Sequence, residues 1–304
     1  MKKVLVIGGC GYLGSRIYDD LSELFLIDSV DLEWFGKTVK NNIHADYKHV
    51  TVDLISQYDS IVLLCGPSSE KMCEGDMPGT ISNNVNNFAR LVDLVNKANK
   101  QFIYASSCRV YYGSKKTVST EEDVNFTSHT PYDISKYFND VIMNHYPNLE
   151  YYGLRLGTVN GYSRNFRRES LINSMACSFK ERGFIQISNG NVGRAVLDIE
   201  DFVRAIRAIL LDGTPEKRGI YNICSFNGTV RSIGEEVSSL LNCLMQDKGD
   251  DSNTNLSFSM DTSKFRKAFG FSFFGNVESI LKRIHSNYDS MTFTSRTQNV
   301  PYGF

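Results

Sequence analysis

A glycine-rich segment near the start of the chain restricts the possible folds most. Gly8, Gly9, Gly11 and Gly14 directly follow the apolar run Val4–Ile7 and precede apolar residues at helical spacing. They satisfy both the G-x-G-x-x-G and the G-x-x-G-x-x-G pattern. Such glycines allow a tight turn and let the backbone approach a pyrophosphate, whose charge meets the N-terminus of the following helix. The segment therefore predicts a strand, a turn and a helix that hold a dinucleotide.

A carboxylate at the end of the second predicted strand indicates which dinucleotide is held. This strand covers about Phe25 to Leu32 and contains Asp31, close to the expected distance of about 20 residues beyond the glycines. An acid at this place binds a ribose hydroxyl and repels a 2'-phosphate, so the sequence predicts NAD. Asp28, on the same strand, is the competing candidate for this role.

Short apolar runs, such as Ile61–Leu64 and Phe102–Ala105, alternate with helical patterns through the first half of the chain. Continuous apolar strands separated by helices predict an α/β fold with a doubly wound parallel sheet, covered on both faces. We expect this Rossmann domain over residues 1–160. A smaller mixed α/β substrate lobe is expected over 161–304, with residues 194–212 able to pack back on the first domain.

A tyrosine and a lysine four residues apart form a candidate catalytic pair. Tyr132 and Lys136 follow Pro131, a good first-turn residue, and therefore share one face of a predicted helix. A nearby ammonium and an oxidised nicotinamide both favour phenolate, so we expect a lowered tyrosine pKa suited to a general base. Two other pairs with this spacing cross a turn signal at residues 113–114 and are not expected to share a face: Tyr111 with Lys115, and Tyr112 with Lys116.

Two serines end the predicted strand that begins at Phe102. Ser106 and Ser107 place hydroxyl groups at the carboxyl edge of the sheet, where doubly wound folds bind ligands. Ser107 is a candidate to hydrogen-bond the substrate oxygen that gains or loses a proton. The alternative is that the two serines only form a turn or cap a helix.

These motifs, in this order, resemble those of the extended short-chain dehydrogenase/reductase family, the group of sugar-nucleotide epimerases, dehydratases and ketoreductases. The resemblance covers nearly the whole chain, from the glycine segment to residues 261–264. It implies that Ser107, Tyr132 and Lys136 form the catalytic triad. It also implies a cofactor site in which Asp46 and Tyr47 flank the adenine, together with Gly8, Gly11, Tyr12, Leu13, Gly14, Asp31, Cys65, Gly66, Asn84, Ser106 and Lys136.

The resemblance further implies a substrate site for a nucleotide-diphosphate sugar. Arg194 matches the diphosphate-binding arginine of the family, and a guanidinium fork suits phosphate oxygens. Dehydratases of the family carry Asp-Glu after the serine or threonine, where this chain has Cys108 and Arg109, so elimination lacks its acid and base. Thr158 occupies a position that is usually asparagine in the family. The implied substrate residues are Thr158, Arg167, Asn173 and Arg194.

Composition excludes several other classes of function. Lys plus Arg total 33 and Asp plus Glu total 34, so no strong field attracts nucleic acid. No stretch approaches the roughly 20 apolar residues of a membrane span. Seven scattered cysteines without a C-x-x-C pair predict a reducing, cytoplasmic setting and no disulfide framework. Five histidines without ligand spacing predict no metal site.

The leading functional hypothesis is an NAD-dependent sugar-nucleotide epimerase with Tyr132 as general base. A reductase that uses NAD(P)H on a 4-keto sugar needs the same three side chains and stays open as an alternative. A non-catalytic dinucleotide sensor is a further alternative, although it would not need the triad. The resemblance also implies a homodimer through two helices per subunit, at about Ile81 to Asn96 and Tyr132 to His145.

Overall fold

The computed structural model describes residues 1–114, 116–124, 130–250 and 257–293, with the backbone alone at 292 and 293. Lys115, and residues 251–256 and 294–304 of the predicted second lobe, lie outside the described residues. The strands are β1 (Lys3–Ile7), β2 (Leu26–Asp31), β3 (Asn42–His44), β4 (Ser60–Leu63), β5 (Gln101–Ser107), β6 (Tyr151–Leu156), β7 (Thr158–Asn160), β8 (Asn165–Phe166), β9 (Phe184–Ile187), β10 (Gly193–Asp198), β11 (Gly219–Ile223), β12 (Phe226–Thr229), β13 (Leu244–Asp247) and β14 (Thr292–Phe293).

The helices surround these strands. They are α1 (Tyr12–Leu21), α2 (Val52–Ser56), α3 (Glu70–Cys73), α4 (Met77–Ile81), α5 (Asn87–Lys97), α6 (Pro131–Met143), α7 (Leu171–Arg182), α8 (Ile199–Asp212), α9 (Val230–Leu241), α10 (Ser263–Phe269) and α11 (Val277–Asn287). A π-helical turn, Ser82–Asn86, joins α4 to α5. No helix among the described residues is both long enough and apolar enough to cross a bilayer.

Seven parallel strands form the central sheet in the order β11-β6-β5-β4-β1-β2-β3. The order reverses between β4 and β1, because β1 pairs with both β2 and β4. Ligands of open parallel sheets bind in the crevice beyond the carboxyl ends of the strands at such a reversal. This topology confirms the predicted doubly wound Rossmann fold.

Both faces of the sheet are buried, as the continuous apolar strands require. On β1, Val4 and Val6 belong to one apolar cluster with α1, α8 and α10, whereas Leu5 and Ile7 belong to another with α2, α5 and α6. The alternation follows from side chains that point to opposite faces along a strand. Each fully buried Val, Leu or Ile contributes about 1.5 to 3 kcal/mol.

One part of the chain after residue 160 forms an apolar core of its own, and another part joins the central sheet. Helices α7, α9 and α11 bury an apolar cluster against β9. In contrast, β11 pairs with β6 at the edge of the central sheet, and α8 packs on that sheet's face. Residues 199–212, part of the segment expected to be able to pack back, and residues 219–223 therefore add a helix and a strand to the layers of the central sheet.

The consecutive strands β6 and β7 belong to different sheets. β6 belongs to the central sheet, and β7 pairs with β10 in a three-stranded sheet. Gly157 separates them, and a Cβ there would lie 2.7 Å from the carbonyl oxygen of Ala195. The chain can change sheets at this position because glycine permits the close backbone approach.

Candidate active site

A cavity lies beyond the carboxyl ends of β1, β2 and β4, at the reversal of strand order. It brings together ten of the predicted cofactor residues, from four separate segments of the chain. They are Gly8, Gly11, Tyr12, Leu13, Gly14, Asp31, Asp46, Tyr47, Cys65 and Gly66. The remaining predicted cofactor residues, Asn84, Ser106 and Lys136, line neighbouring cavities.

Gly8 shows why certain positions of this segment must be glycine. Its φ is +94°, and a Cβ would lie 2.5 Å from the backbone nitrogen of Cys65, which follows β4. Farther along, a Cβ on Gly14 would lie 2.3 Å from the carbonyl oxygen of Gly8, so this glycine lets α1 pack directly on the turn. The result is a bare backbone surface at the start of a helix, the arrangement that accepts a pyrophosphate.

We expect Gly8→Ala to weaken NAD binding by at least about tenfold, because the new methyl group must displace the backbone at Cys65. Gly183→Ala is the matched control: its φ is also positive, +77°, but no atom lies within 4 Å of the added Cβ. Calorimetric titration with NAD measures both variants. Equal affinities for the two would contradict a close-packed cradle at Gly8.

The structure separates the two candidate carboxylates on β2. Asp31 lines the cofactor cavity, where its two oxygens accept the backbone N–H groups of Cys10 at 3.0 Å and Glu33 at 2.7 Å. Asp28 instead accepts the hydroxyl of Tyr58 at 3.0 Å and lines a different groove. Of the two carboxylates, Asp31 is therefore the one that lines the cofactor cavity.

Asp46 and Tyr47 are held by a short helical turn. Asp46 caps this turn by accepting the N–H of Lys48 at 3.0 Å. The hydroxyl of Tyr47 donates to the carbonyl of Asn83 in the π-helical turn, and burial raises the pKa of Tyr47 well above its usual value. Asn84, in the same turn, donates to the carbonyl of Pro67 at 3.0 Å, so its amide supports the loop after β4.

A second cavity adjoins the first and contains the predicted triad. Ser107, Tyr132 and Lys136 all line it, and it shares residues of the glycine turn and of the β4 loop with the cofactor cavity. Tyr132 lies in the first turn of α6, which begins at Pro131 and is capped by the hydroxyl of Thr130. The three side chains therefore converge at the carboxyl edge of the sheet, next to the cofactor cavity.

In the protein alone the pKa of Tyr132 lies above its usual value, whereas the expected lowering includes the charge of an oxidised nicotinamide. Burial raises it to about 12, an effect that outweighs the hydrogen bond with Ser107 and the positive charge of Arg167, both of which lower it. Lys136 lies with Nζ 5.7 Å from the centre of the tyrosine ring, and Nζ donates to the carbonyl of Ala105 at 2.9 Å. Burial also lowers the pKa of Lys136. The protein by itself thus favours the neutral phenol, because removal from water disfavours charge.

Ser106 and Ser107 differ in their partners. The hydroxyl oxygen of Ser107 accepts the backbone N–H of Arg109 at 3.2 Å, so the serine caps the turn Cys108–Tyr111 as well as facing Tyr132. The hydroxyl of Ser106 is buried, lines the cavity and has no hydrogen-bond partner within the described part of the chain. A buried hydroxyl without a partner is costly, and a bound ligand would satisfy it.

The predicted substrate residues occupy different positions around the second cavity. Thr158 and Arg167 line it, and Arg167 also lines the cofactor cavity, with Nη2 donating to the carbonyl of Ser68 at 3.1 Å. Arg194 lies outside this lining, and burial lowers its pKa. Asn173 is fully buried, and its amide bonds Gly161, Tyr12 and the carbonyl of Arg167, so it has no surface to offer a substrate.

Sequence reasoning missed several residues of these cavities. Trp34 and Phe35 line the cofactor cavity near Asp31, and the available signal was a pair of adjacent aromatic residues shortly after β2. Arg109 and Glu70 line the second cavity and form an ion pair of 2.6 Å. Arg109 also pairs with the buried Asp133. Because these charged residues lie far apart in the sequence, no local pattern predicts that they meet.

Comparison with known proteins agrees with this geometry. Residues 4–224 match the model of the NAD dependent epimerase/dehydratase family. Similar solved structures include UDP-glucuronic acid 4-epimerase from Bacillus cereus, with a TM-score of 0.81 and 19% identity over 94% of this chain and 99% of that one. UDP-glucose 4-epimerase from Thermotoga maritima gives 0.81 and 18% over 94% and 98%. dTDP-glucose 4,6-dehydratase from Streptomyces venezuelae gives 0.79 and 18% over 95% and 98%.

The family match spans the glycine turn, the β4 loop, the serine pair and the helix of Tyr132. At identities near 20%, the solved structures establish the fold and not the individual reaction. The match confirms the resemblance to extended short-chain dehydrogenases and the expectation of an NAD-dependent enzyme. This chain belongs to the NAD dependent epimerase/dehydratase family.

Proposed function

We propose that the protein is an NAD-dependent epimerase of nucleotide-diphosphate sugars. The observation that carries this proposal is the meeting of Ser107, Tyr132 and Lys136 in one cavity that adjoins the cofactor cavity. A hydroxyl donor, a phenol and an ammonium at this place are the groups needed to oxidise a sugar hydroxyl and to reduce the resulting ketone. A homodimer through α5 and α6 stays a prediction.

The residues of the first cavity fit NAD. The bare turn at Gly8 accepts a pyrophosphate, Asp31 presents a carboxylate to a ribose, and the unpartnered hydroxyl of Ser106 lies beside the triad. Asp31 also disfavours a 2'-phosphate, which supports NAD over NADP. When bound there, NAD supplies the reversible acceptor for the hydride of a sugar carbon.

The side chains then move the proton. Tyr132, as phenolate, takes the proton of the sugar hydroxyl, and the electrons of the broken O–H bond form the C=O bond. The hydrogen on that carbon leaves with the C–H electron pair as the hydride that bound NAD would accept. Ser107 donates a hydrogen bond to the same sugar oxygen. The neutral phenol returns the proton when the hydride comes back to the opposite face of the ketone, which inverts the carbon. Lys136 keeps a positive charge near the phenolate.

The contacts of Arg109 support epimerisation over dehydration. The family's dehydratases carry an acid and a base at the positions of Cys108 and Arg109. Here the Arg109 guanidinium is bound to two carboxylates, and burial raises the pKa of Cys108 to about 11. Neither group is suited to remove a proton from a sugar carbon at neutral pH. The site therefore supports transfer of a hydride without loss of water.

The test is to incubate the purified protein, without added cofactor, with a panel of UDP-, dTDP-, GDP- and CDP-sugars and to identify products by NMR. We expect one sugar to reach an equilibrium mixture of two epimers, with no net change in cofactor. Steady oxidation of added NADH or NADPH with a 4-keto sugar would assign the reductase activity instead. Inactivity with the whole panel, although NAD is bound, would favour a sensor.

A further inference from the structure

The side chain of Arg109 points away from solvent and towards the helix of Tyr132. Its Nε donates to one carboxylate oxygen of Asp133, and its Nη2 donates to the other at 2.9 Å. Asp133 is fully buried and follows Tyr132 directly on α6. A bidentate guanidinium–carboxylate pair fixes both orientation and distance, unlike a single ion pair. The pair therefore joins the end of β5 to the start of α6.

Arg109 has further partners that hold it in this position. Nη2 also donates to Glu70 on α3 at 2.6 Å, and the guanidinium carbon lies 5.8 Å from the centre of the Phe258 ring. The side chain of Arg109 is only 16% exposed. An ion pair with so little access to water is stabilised by its hydrogen bonds, and here two carboxylates accept from Nε and Nη2.

The backbone of Arg109 orients Ser107. Its N–H donates to the hydroxyl oxygen of Ser107 at 3.2 Å. A serine hydroxyl has one proton, which it can then direct to Tyr132 or to the oxygen of a substrate. Arg109 thus contacts Ser107 through its backbone and, through its side chain, Asp133, the residue that follows Tyr132.

The charge of Arg109 matters because the guanidinium lowers the pKa of Tyr132 and also balances the carboxylate of Asp133, the next residue on α6. Removing Arg109 would leave the negative charge of Asp133 opposed only by more distant cations, and a nearby negative charge disfavours phenolate. Five elements contribute groups near the phenol of Tyr132 or near the Arg109–Asp133 pair. These groups are Lys136 on α6, Ser107 at the end of β5, Cys108 in the turn after it, Arg167 after β8, and Glu70 on α3.

We propose that Arg109 is a positioning residue, which through its bidentate pair with Asp133 fixes Ser107 against Tyr132 and prevents Asp133 from opposing the phenolate. This inference rests on the proposed role of Tyr132 as general base. Under this proposal, Arg109 has a positioning role in this chain at the place where the family's dehydratases carry a glutamate.

The test compares Arg109→Gln, Arg109→Lys and the double variant Arg109→Gln/Asp133→Asn, with Arg231→Gln as control. Arg231 also forms an arginine–carboxylate pair, with Asp247, but lines neither cavity. Two readouts apply to the NAD-bound protein: the pH dependence of kcat, and the titration of Tyr132 by NMR of ¹³C-labelled tyrosine. Loss of its signal in Tyr132→Phe assigns the resonance.

We expect Arg109→Gln to raise the midpoint of the phenol titration by about one pH unit and to lower kcat roughly tenfold or more. The double variant, which removes both charges, should return the midpoint to that of the wild type while kcat stays low. Arg109→Lys should keep the midpoint but not kcat, since an ammonium cannot make the bidentate pair. Arg231→Gln should change neither.

An unmoved phenol midpoint in folded Arg109→Gln would overturn the role in charge, and wild-type kcat in Arg109→Lys would overturn the role in positioning. If Arg109→Gln does not fold, Arg109→Lys still decides the role in positioning, and Asp133→Asn decides the role in charge, because loss of the carboxylate should lower the midpoint of the phenol titration. The NMR titration needs no turnover. A wild type that acts on no sugar nucleotide therefore refutes the proposed function, whereas an unmoved titration refutes this inference.

Discussion

Tyr132→Phe should lower kcat by about 10²- to 10⁴-fold, the usual contribution of a positioned general acid or base. The substitution removes one hydroxyl from a buried ring and leaves the cofactor cavity intact, because Tyr132 does not line that cavity. Affinity for NAD, measured by calorimetric titration, should therefore stay close to that of the wild type. A variant that binds NAD and retains full turnover would eliminate Tyr132 as the base.

The pH dependence of the wild type should agree with this role. The rate rises with pH where the phenol loses its proton, and the pKa of Tyr132 is about 12 in the protein alone. Oxidised nicotinamide brings a positive charge into the adjoining cavity, which favours phenolate and moves the midpoint of kcat to lower pH. This limb of the profile should be absent from any residual activity of Tyr132→Phe.

Asp140→Ala should cost about 3 to 5 kcal/mol of unfolding free energy, since it leaves a buried guanidinium without its counter-charge. Asp140 accepts Nε of Arg155 at 2.8 Å and the hydroxyl of Tyr104 at 3.0 Å, and only 5% of the aspartate and 4% of the arginine is exposed. Chemical denaturation with urea measures the loss. The pair connects α6 to β6 and lies one turn beyond Lys136.

Asp93→Ala is the matched control for this prediction. Asp93 forms an ion pair of 2.6 Å with Lys97 on α5, but its side chain is 44% exposed and that of the lysine 62%. Exposed pairs of this kind contribute under about 1 kcal/mol. Similar losses for the two variants would show that burial does not decide the strength of these pairs.

The parts of the fold that local patterns encode were predictable. The glycine turn, β1 and α1 follow from residues that are adjacent in sequence, and β2 at Leu26–Asp31 lies within the expected segment. Their signals, apolar periodicity and glycine spacing, do not depend on distant residues. For the same reason the helix of Tyr132, which begins at Pro131, was recognisable.

The remaining features depend on contacts between distant segments. Arg109 and Asp133 are 24 positions apart, and only the folded chain shows that their side chains meet. The pKa of Tyr132 depends on burial by the surrounding elements, which the sequence pattern does not express. Asn173 illustrates the same limit, because matching a family motif could not show that its amide is fully occupied by the protein's own groups.

Because β11 pairs with β6, residues 1–160 do not contain the whole central sheet. A chain shortened after residue 160 would lack both the last strand of the sheet and helix α8, leaving an unpaired strand edge and an uncovered apolar face. Such surfaces promote aggregation. Residues 1–160 are therefore not expected to be inherited as an independent folding unit, because residues beyond 160 complete their sheet.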